Sequence, residues 1–549
     1  MLIPTFLKIA PWLASAISGL LLALCFAPWD HAVLVWIALL PLLWSLWTLP
    51  ANAPKWHAPL LGYVSGLFFF TTTFHWLAEL AGLFVNPALR GLPLLLAAYL
   101  ALYPALWAWL MAAPPEKART PLGTSFKNIG FSITGAAAWV SLDWVRGWCF
   151  TGFGWNTPGV ALNKNEYLAL IQIADLVGVH GITFLIVFLN LSFAQVLRRL
   201  ARERSIRAIP NIRIELMAVV LLLGATLSYG GRSILRFQRS GIPLHTVSLQ
   251  PNQPQDILFD PAVEDTVFAT LDRLMGLVSS LPQQPKLILW PEAATPRGIF
   301  ADQANHDFIV KQAVRTPAAI LLGSVEPKPG AAPDELAIYN SAILLSHNAT
   351  SLQSYKKRHL VPFGEFLPFR DFFPKAIREL VPGDLEHGQE ANLLKLDNPA
   401  IGIGALVCFE DSLARETRSL ALAGAQILIN LTNDAWFGNS AAAAQHLANA
   451  KFRAVETRLP LLRCANTGVT CSIDALGRVE QRIPAFTEGL DTTEVLVPSN
   501  PSPTPYTLWG DRWLWICALL ALRLAVVRGQ KARLRSPGTN NRLESSPKA

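Results

Sequence analysis

Charge is what this chain has least of. Asp, Glu, Lys and Arg make up 15% of its 549 residues, against roughly 25% in soluble domains. That deficit argues against a wholly soluble protein. Cysteines at metal-ligand spacing are absent as well. The six cysteines include no C-x-x-C pair and no Cys/His cluster, so no zinc module is expected. There is no G-x-G-x-x-G and no Walker loop between a strand and a helix, which excludes a dinucleotide or ATP site of those kinds. No cofactor and no metal are expected.

What is abundant is apolar: 52% hydrophobic residues, 18 Trp and a mean hydropathy of +0.34. The excess is gathered into runs near the roughly 20 residues that cross a bilayer core. Eight such spans are predicted, at 9–28, 32–50, 59–79, 91–112, 128–145, 175–197, 214–231 and 508–527. Lys and Arg mark the cytoplasmic side of a membrane protein. They cluster in Arg198–Arg207 with Arg213, in Lys117, Arg119 and Lys127, and in Arg528, Lys531, Arg533 and Arg535; the turn between the first two spans holds only Asp30 and His31. With eight spans these basic loops share one face. Both termini are then cytoplasmic, and the loop 232–507 is periplasmic. The first span is long, carries Trp12 and is followed at once by another, so it reads as a retained helix and not a cleaved signal. The formal charge of +8 comes largely from these anchors and does not call for nucleic acid. Four regions follow: a transmembrane domain at 1–231, a globular domain at 232–507, a last transmembrane helix at 508–527 and a basic tail at 528–549.

Short apolar runs punctuate the globular region at His245–Leu249, Leu287–Trp290, Ala318–Leu322, Ser341–Leu345, Ile401–Val407, Ile427–Leu431 and Leu461–Cys464. Several are continuous and not alternating, as in strands covered on both faces. Helical stretches at Pro261–Ser280, Asn305–Thr316 and Ala441–Arg458 lie between them, which predicts a layered α/β fold.

Two of these runs, and one further segment, carry chemically apt residues. Ile401-Gly-Ile-Gly-Ala-Leu-Val-Cys408 delivers a thiol to a polar turn, Glu410-Asp411-Ser412. Lys286-Leu-Ile-Leu-Trp-Pro-Glu292 delivers a carboxylate, and Tyr355-Lys-Lys-Arg-His-Leu-Val-Pro-Phe-Gly-Glu365 sets basic residues before a loop. A lone strand-end cysteine is usually a core residue, and a lone Glu or Lys is usually solvated. Together they meet the needs of a thiol nucleophile: a base for its proton and a cation for the oxyanion formed on attack.

The ordered set Trp290-Pro-Glu292, Lys357-Arg-His-Leu-Val-Pro-Phe-Gly-Glu365 and Cys408-Phe-Glu-Asp411 resembles the carbon-nitrogen hydrolase (nitrilase) superfamily. His359–Glu365, with Asn433-Asp-Ala-Trp-Phe-Gly438, is similar to its membrane-bound branch, the apolipoprotein N-acyltransferases. The resemblance spans nearly the whole chain. It implies an α-β-β-α sandwich for the globular domain, with Glu292 as base, Lys357 as oxyanion lysine and Cys408 as nucleophile. Lys357 is preferred to Lys356 because the family's lysine stands two residues before the histidine, here His359. Glu365 and Glu410 are implied as supporting carboxylates, and Trp436 and Phe409 as substrate-contacting aromatics. The implied activity is the final step of lipoprotein maturation at the bacterial inner membrane. A phospholipid, usually phosphatidylethanolamine, leaves an acyl thioester on Cys408, and the α-amino group of an S-diacylglyceryl apolipoprotein takes it up by ping-pong kinetics.

Phe409 stands where the family commonly has Tyr, and a family Trp is replaced near Asp256–Asp260, by Phe259. A membrane-tethered amidase or nitrilase and a non-catalytic membrane scaffold are the rival readings. Cys464 and Cys471 are either free thiols or partners across one hairpin. Arg146–Pro158 reads as an interfacial aromatic belt or as a wall of the lipid path. Asp143 and Asp175 need partners if they lie in spans. A mobile lid is expected in Val361–Gly388, and a monomer is the default state.

Overall fold

The computed structural model describes residues 2–50, 52–83, 86–203, 212–255, 261–329, 337–378 and 384–534. Asp256–Asp260 with Phe259, Arg204, Arg207, part of the lid stretch and the tail from Arg535 lie outside the described residues.

All eight apolar segments fall on helix. Pro87–Met111, Ala174–Glu203, Arg213–Arg236 and Arg512–Gln530 are long and apolar enough to cross a membrane. The others are shorter, interrupted or more polar. The second segment is split into Ala32–Trp36 and Leu40–Trp47, and its break is satisfied from a neighbour. Asn190, fully buried, accepts from Leu39 N (3.0 Å) and donates to Val35 O (3.0 Å). Non-helical backbone in an apolar bundle needs such a partner. Close helix packing depends on missing side chains: a Cβ on Gly62 would lie 2.4 Å from Ala108 Cβ, and one on Gly19 would lie 2.1 Å from Ser65 O.

Asp143 and Asp175, the two carboxylates that the sequence reading singled out, are paired. Asp143 takes Arg146 at 2.6 Å and also the Thr157 hydroxyl. Arg146 in turn donates to the Phe153 and Trp155 carbonyls, both at 2.9 Å. The segment Arg146–Pro158 is thus wrapped around its own guanidinium. Asp175 accepts from Tyr229 at 2.8 Å and from Arg458 of the globular domain at 2.6 Å.

The globular domain holds two six-stranded sheets. One runs β12-β1-β2-β3-β4-β5 and contains β1 Ile242–Gln250, β2 Leu287–Leu289, β3 Ala319–Pro327, β4 Ile338–Leu345, β5 Leu352–Lys356 and β12 Gly489–Val497. The other runs β11-β10-β9-β8-β7-β6 and contains β6 Leu394–Asp397, β7 Ala400–Val407, β8 Ile427–Thr432, β9 Leu461–Ala465, β10 Thr470–Ile473 and β11 Val479–Ile483. β1-β2-β3 and β7-β8-β9 are parallel, and the flanking pairs are antiparallel. Alternation sorts the side chains. Leu287, Leu289, Leu321 and Leu344 meet Ile403, Ala405, Ile427 and Ile429 between the sheets. Ile288, Trp290, Ile320 and Ile343 instead face helices Glu264–Ser279 and Gln303–Arg315. Helices Ala414–Leu422 and Ala442–Thr457 cover the other sheet. The seven strands read from apolar runs all form. β5, β6 and β10–β12 escaped that reading because they are short or polar on one face.

Helix Ala442–Thr457 also docks onto the membrane domain. Gln445 donates to Ala27 O (2.8 Å) and Thr73 O (3.0 Å) and accepts from Trp76 Nε1 (3.1 Å) and Asn156 Nδ2 (2.9 Å). Asn449 donates to Asn156 Oδ1 at 3.2 Å, and Glu456 accepts from Val179 N at 3.0 Å.

Candidate active site

The site forms where strands of both sheets end. β2 stops before Trp290-Pro291 and presents Glu292; Gly323 of β3 lies so close that a Cβ there would sit 2.5 Å from Glu292 Cα. β5 stops at Lys356, and the next residue is pinned on both sides, Lys357 N donating to Asn340 O and Gly388 N to Lys357 O, each at 2.8 Å. Alternation sends the neighbouring lysines apart. Lys356 Nζ lies over the Tyr339 ring at 4.0 Å, whereas Lys357 is buried with its ammonium among the carboxylates. β7 stops at Val407, and Cys408 turns sharply with φ +53°.

Lys357 Nζ lies 2.8 Å from Glu365 Oε1 and 3.7 Å from Glu292 Oε1. Asn340 Nδ2 joins the same two carboxylates, at 2.7 Å from Glu292 and 3.0 Å from Glu365. Among the described residues the buried Glu292 Oε2 has no hydrogen-bond donor in place, and the Cys408 thiol neighbours this carboxyl. Glu365 is held by Val361 N at 2.8 Å.

Glu410 does a different job. It accepts from Arg358 N (2.8 Å), His359 N (3.1 Å), Val407 N (2.9 Å) and the Tyr355 hydroxyl (3.0 Å). One carboxylate therefore ties the backbone beside Lys357 to the backbone beside Cys408. Phe409 is buried between Trp155 (5.7 Å, 17°) and His359 (5.9 Å, 24°), so it is a packed wall of the site. Trp436 is 36% exposed in the short turn Ala435–Phe437. Phe437 packs edge-on against Trp76 at 4.5 Å.

The ionisation pattern follows from burial and neighbours. Burial pushes the Glu292 carboxyl above its ordinary range, and Lys357 opposes it. Burial works against the Lys357 charge, yet Glu365 and Glu292 carry its pKa above the usual lysine value. Burial and the adjacent Glu292 push the Cys408 thiol well up, with Lys357 opposing. The resting thiol is neutral and needs a base at the moment of attack. Burial raises Glu410 to about 7.

The sequence-predicted Glu292, Lys357, Cys408, Glu365 and Glu410 are brought together, and Trp436 is carried on the turn Ala435–Phe437. The sequence reading missed Asn340, Tyr355 and a buried cluster behind Cys408, made of Asp411, Asn430, Asp434, His446 and Arg463. The linear signals were polarity in or beside apolar runs, at Asn340 in β4, Asn430 in β8 and Arg463 in β9, and the presence of Asp411 and Asp434 in the quoted motifs Cys408–Asp411 and Asn433–Gly438. Cys464 and Cys471 are both free and buried.

Two covering sheets with a Cys, a Lys and Glu residues at their strand ends define a carbon-nitrogen hydrolase domain. The family model described as Carbon-nitrogen hydrolase matches residues 250–499. The model described as Apolipoprotein N-acyltransferase N-terminal domain matches residues 18–192, ahead of it. The apolipoprotein N-acyltransferase of Geobacter metallireducens is 33% identical over 521 residues, spanning 94% of this chain and 95% of that one. That of Methylococcus capsulatus is 33% identical over 541 residues, covering 95% and 98%, and that of Nitrosomonas europaea is 32% identical over 516 residues, covering 91% and 94%. The chain belongs to the apolipoprotein N-acyltransferase family and is an enzyme.

Proposed function

We propose that this enzyme moves a fatty acyl chain from a membrane phospholipid, through a thioester on Cys408, to the α-amino group of the S-diacylglyceryl cysteine of apolipoproteins. The observation that carries the mechanism is the Lys357 ammonium, buried and bracketed by Glu365 at 2.8 Å and Glu292 at 3.7 Å beside a neutral thiol. Glu292, whose carboxyl neighbours the Cys408 thiol, accepts the thiol proton as Sγ attacks the ester carbonyl. Lys357 stabilises the oxyanion. Collapse expels the lysophospholipid, which takes the proton back from Glu292. The amine then attacks the thioester and gives its proton to Glu292; the N-acyl product leaves and the Cys408 thiol is restored. Splitting the transfer at one nucleophile makes the kinetics ping-pong.

The finer assignments belong to the same proposal. The chain spans the inner membrane eight times, with residues 1–231 and 508–527 in the bilayer. Residues 232–507 form the periplasmic catalytic domain, and both termini are cytoplasmic with the basic tail at 528–549. The Asp175–Arg458 ion pair supports the placing of this domain against the bundle. Phosphatidylethanolamine is the donor, Trp436 lines the cleft, Phe409 walls it, and the working unit is a monomer.

The purified enzyme is mixed with a phospholipid carrying a labelled acyl chain. It is expected to form a hydroxylamine-sensitive adduct that Cys408→Ala abolishes, and to pass the label to a diacylglyceryl peptide. Lysophospholipid and free fatty acid without N-acyl peptide would instead make the enzyme a hydrolase. Labelling that survives Cys408→Ala would refute the nucleophile.

A further inference from the structure

Behind Cys408 lies a cluster of four charged side chains that the steps above do not use. His446 bridges two carboxylates, Nε2 to Asp411 Oδ1 at 2.7 Å and Nδ1 to Asp434 Oδ1 at 2.8 Å. Arg463 bridges the same pair, touching Asp411 Oδ2 and lying 3.7 Å from Asp434 Oδ2. All four are buried. A ring with a carboxylate on each nitrogen must donate from both, which only the imidazolium does. With His446 charged, two cations face two anions and the cluster is neutral. With it neutral, one carboxylate loses its donor inside the protein.

The cluster is wired to the nucleophile. Asp411 Oδ2 accepts from Asn430 Nδ2 at 2.5 Å, and the same Nδ2 donates to the Cys408 carbonyl at 3.1 Å. Cys408 is held in the left-handed region, φ +53°, which a non-glycine residue keeps only where its surroundings impose it. Over the outer side of the cluster, Trp155 of the membrane domain sits 5.4 Å from the His446 ring and 5.7 Å from Phe409. The groups facing His446 are Asp411 from the turn after β7, Asp434 from the loop after β8, Arg463 from β9 and the uncharged Trp155. On its own helix, Arg453 is engaged by Glu456 and Ser412 O.

We infer that His446 is a positioning residue for acyl transfer. As an imidazolium it clamps Asp411 to Asp434, Asp411 orients Asn430, and Asn430 fixes the Cys408 carbonyl so that Sγ points at the ester. The inference rests on Cys408 being the nucleophile. Burial and Arg463 work against the His446 charge, but Asp411 and Asp434 outweigh them and carry its pKa up to about 9. The clamp therefore holds at neutral pH and opens above about 9.

The test is single-turnover acylation of the detergent-solubilised full chain by a labelled phospholipid, followed from pH 6 to 10.5 in the parent, His446→Gln and Cys408→Ala. His446→Gln is expected to acylate at least tenfold more slowly, with half-saturation by donor unchanged within twofold. It should also lack the fall in rate that the parent shows near pH 9. A residue that merely stabilises the fold would leave that alkaline limb in place. Parent-like acylation by His446→Gln, a loss confined to half-saturation, or a retained limb would overturn the inference. Labelling of Cys408→Ala would instead overturn the nucleophile on which it rests. If His446→Gln does not fold, Asp434→Asn decides. With one carboxylate gone, the limb moves to lower pH and the rate drops; an unmoved limb overturns the clamp.

Discussion

Replacing Glu410 by Gln removes the least from the structure while disturbing the point where the two halves of the site are joined. The carboxylate receives three backbone N–H groups, from Arg358, His359 and Val407, and one hydroxyl, from Tyr355. Gln keeps the volume and one acceptor oxygen. If that oxygen takes the place of Oε1, it still receives Arg358 N and His359 N, and the amide nitrogen then points at Val407 N, 2.9 Å from the present Oε2. Two donors face each other there, and the Val407 N–H, one residue before Cys408, has no acceptor. The Tyr355 hydroxyl can rotate to accept, so it recovers its bond. The reverse orientation is worse, because both lysine-side N–H groups lose their partner. One orphaned buried N–H costs about 1–3 kcal/mol. If about 2 kcal/mol of that falls on the acylation barrier, the rate drops roughly thirtyfold, since about 1.4 kcal/mol is a factor of ten. The assay is single-turnover labelling of Cys408 by an acyl-labelled phospholipid at pH 8, above the value of about 7 to which burial raises Glu410. Labelling of Glu410→Gln within threefold of the parent would refute the idea that this carboxylate registers the lysine loop against the nucleophile.

Other variants probe separate links. Gly323→Ala would force a Cβ to within 2.5 Å of Glu292 Cα; it should slow acylation more than tenfold while Cys408 remains open to a small alkylating reagent, and parent-like acylation would contradict the close approach. Lys357→Arg keeps the charge but overfills a buried site; acylation should fall by at least about a hundredfold, the scale of a lost oxyanion donor, and a mild effect would remove Lys357 from that role. Glu292 must be ionised to take a proton, and burial raises its pKa above the ordinary 4.5. The acylation rate should therefore decline on acidification through a limb above pH 4.5; a rate flat from pH 7 down to 5 would argue against Glu292 as base. Gln445→Leu removes four hydrogen bonds between the domains, to Ala27, Thr73, Trp76 and Asn156; the thermal transition should broaden or split, and an unchanged transition would show that this contact does not couple the two halves.

Much of the architecture could be read from composition and order. The four helices long and apolar enough to cross a membrane were visible because a bilayer demands long apolar runs, which stand out against any loop. Seven strands were visible because burial on both faces makes several of them continuously apolar, whereas β10 is only four residues long and half polar, and β12 alternates between buried and exposed positions. Glu292 and Cys408 were legible because each closes an apolar run, so a chemically apt residue falls where a strand ends; Lys357 was legible from the motif that runs to Glu365. Glu410 was legible as a site residue but not in its role. No spacing shows that one carboxylate collects N–H groups from residues 358, 359 and 407.

By itself, the sequence pointed to the residues proposed to carry the chemistry and to a membrane setting, because nucleophile, base, cation and apolar spans are all properties of residue type and run length. The choice of Lys357 over Lys356 came from resemblance, and the physical reason lies in the alternation at the end of β5, which turns one lysine onto the Tyr339 ring and the other into the carboxylates. Only tertiary structure decided what holds the thiol in place. Asp411, Asn430, Asp434, His446 and Arg463 are distributed over more than fifty residues of chain and meet only because β7, β8 and β9 lie side by side under one helix. Contacts between strands parallel in space leave no periodic trace along the chain, so the meeting of these five residues showed only once the sheet was seen.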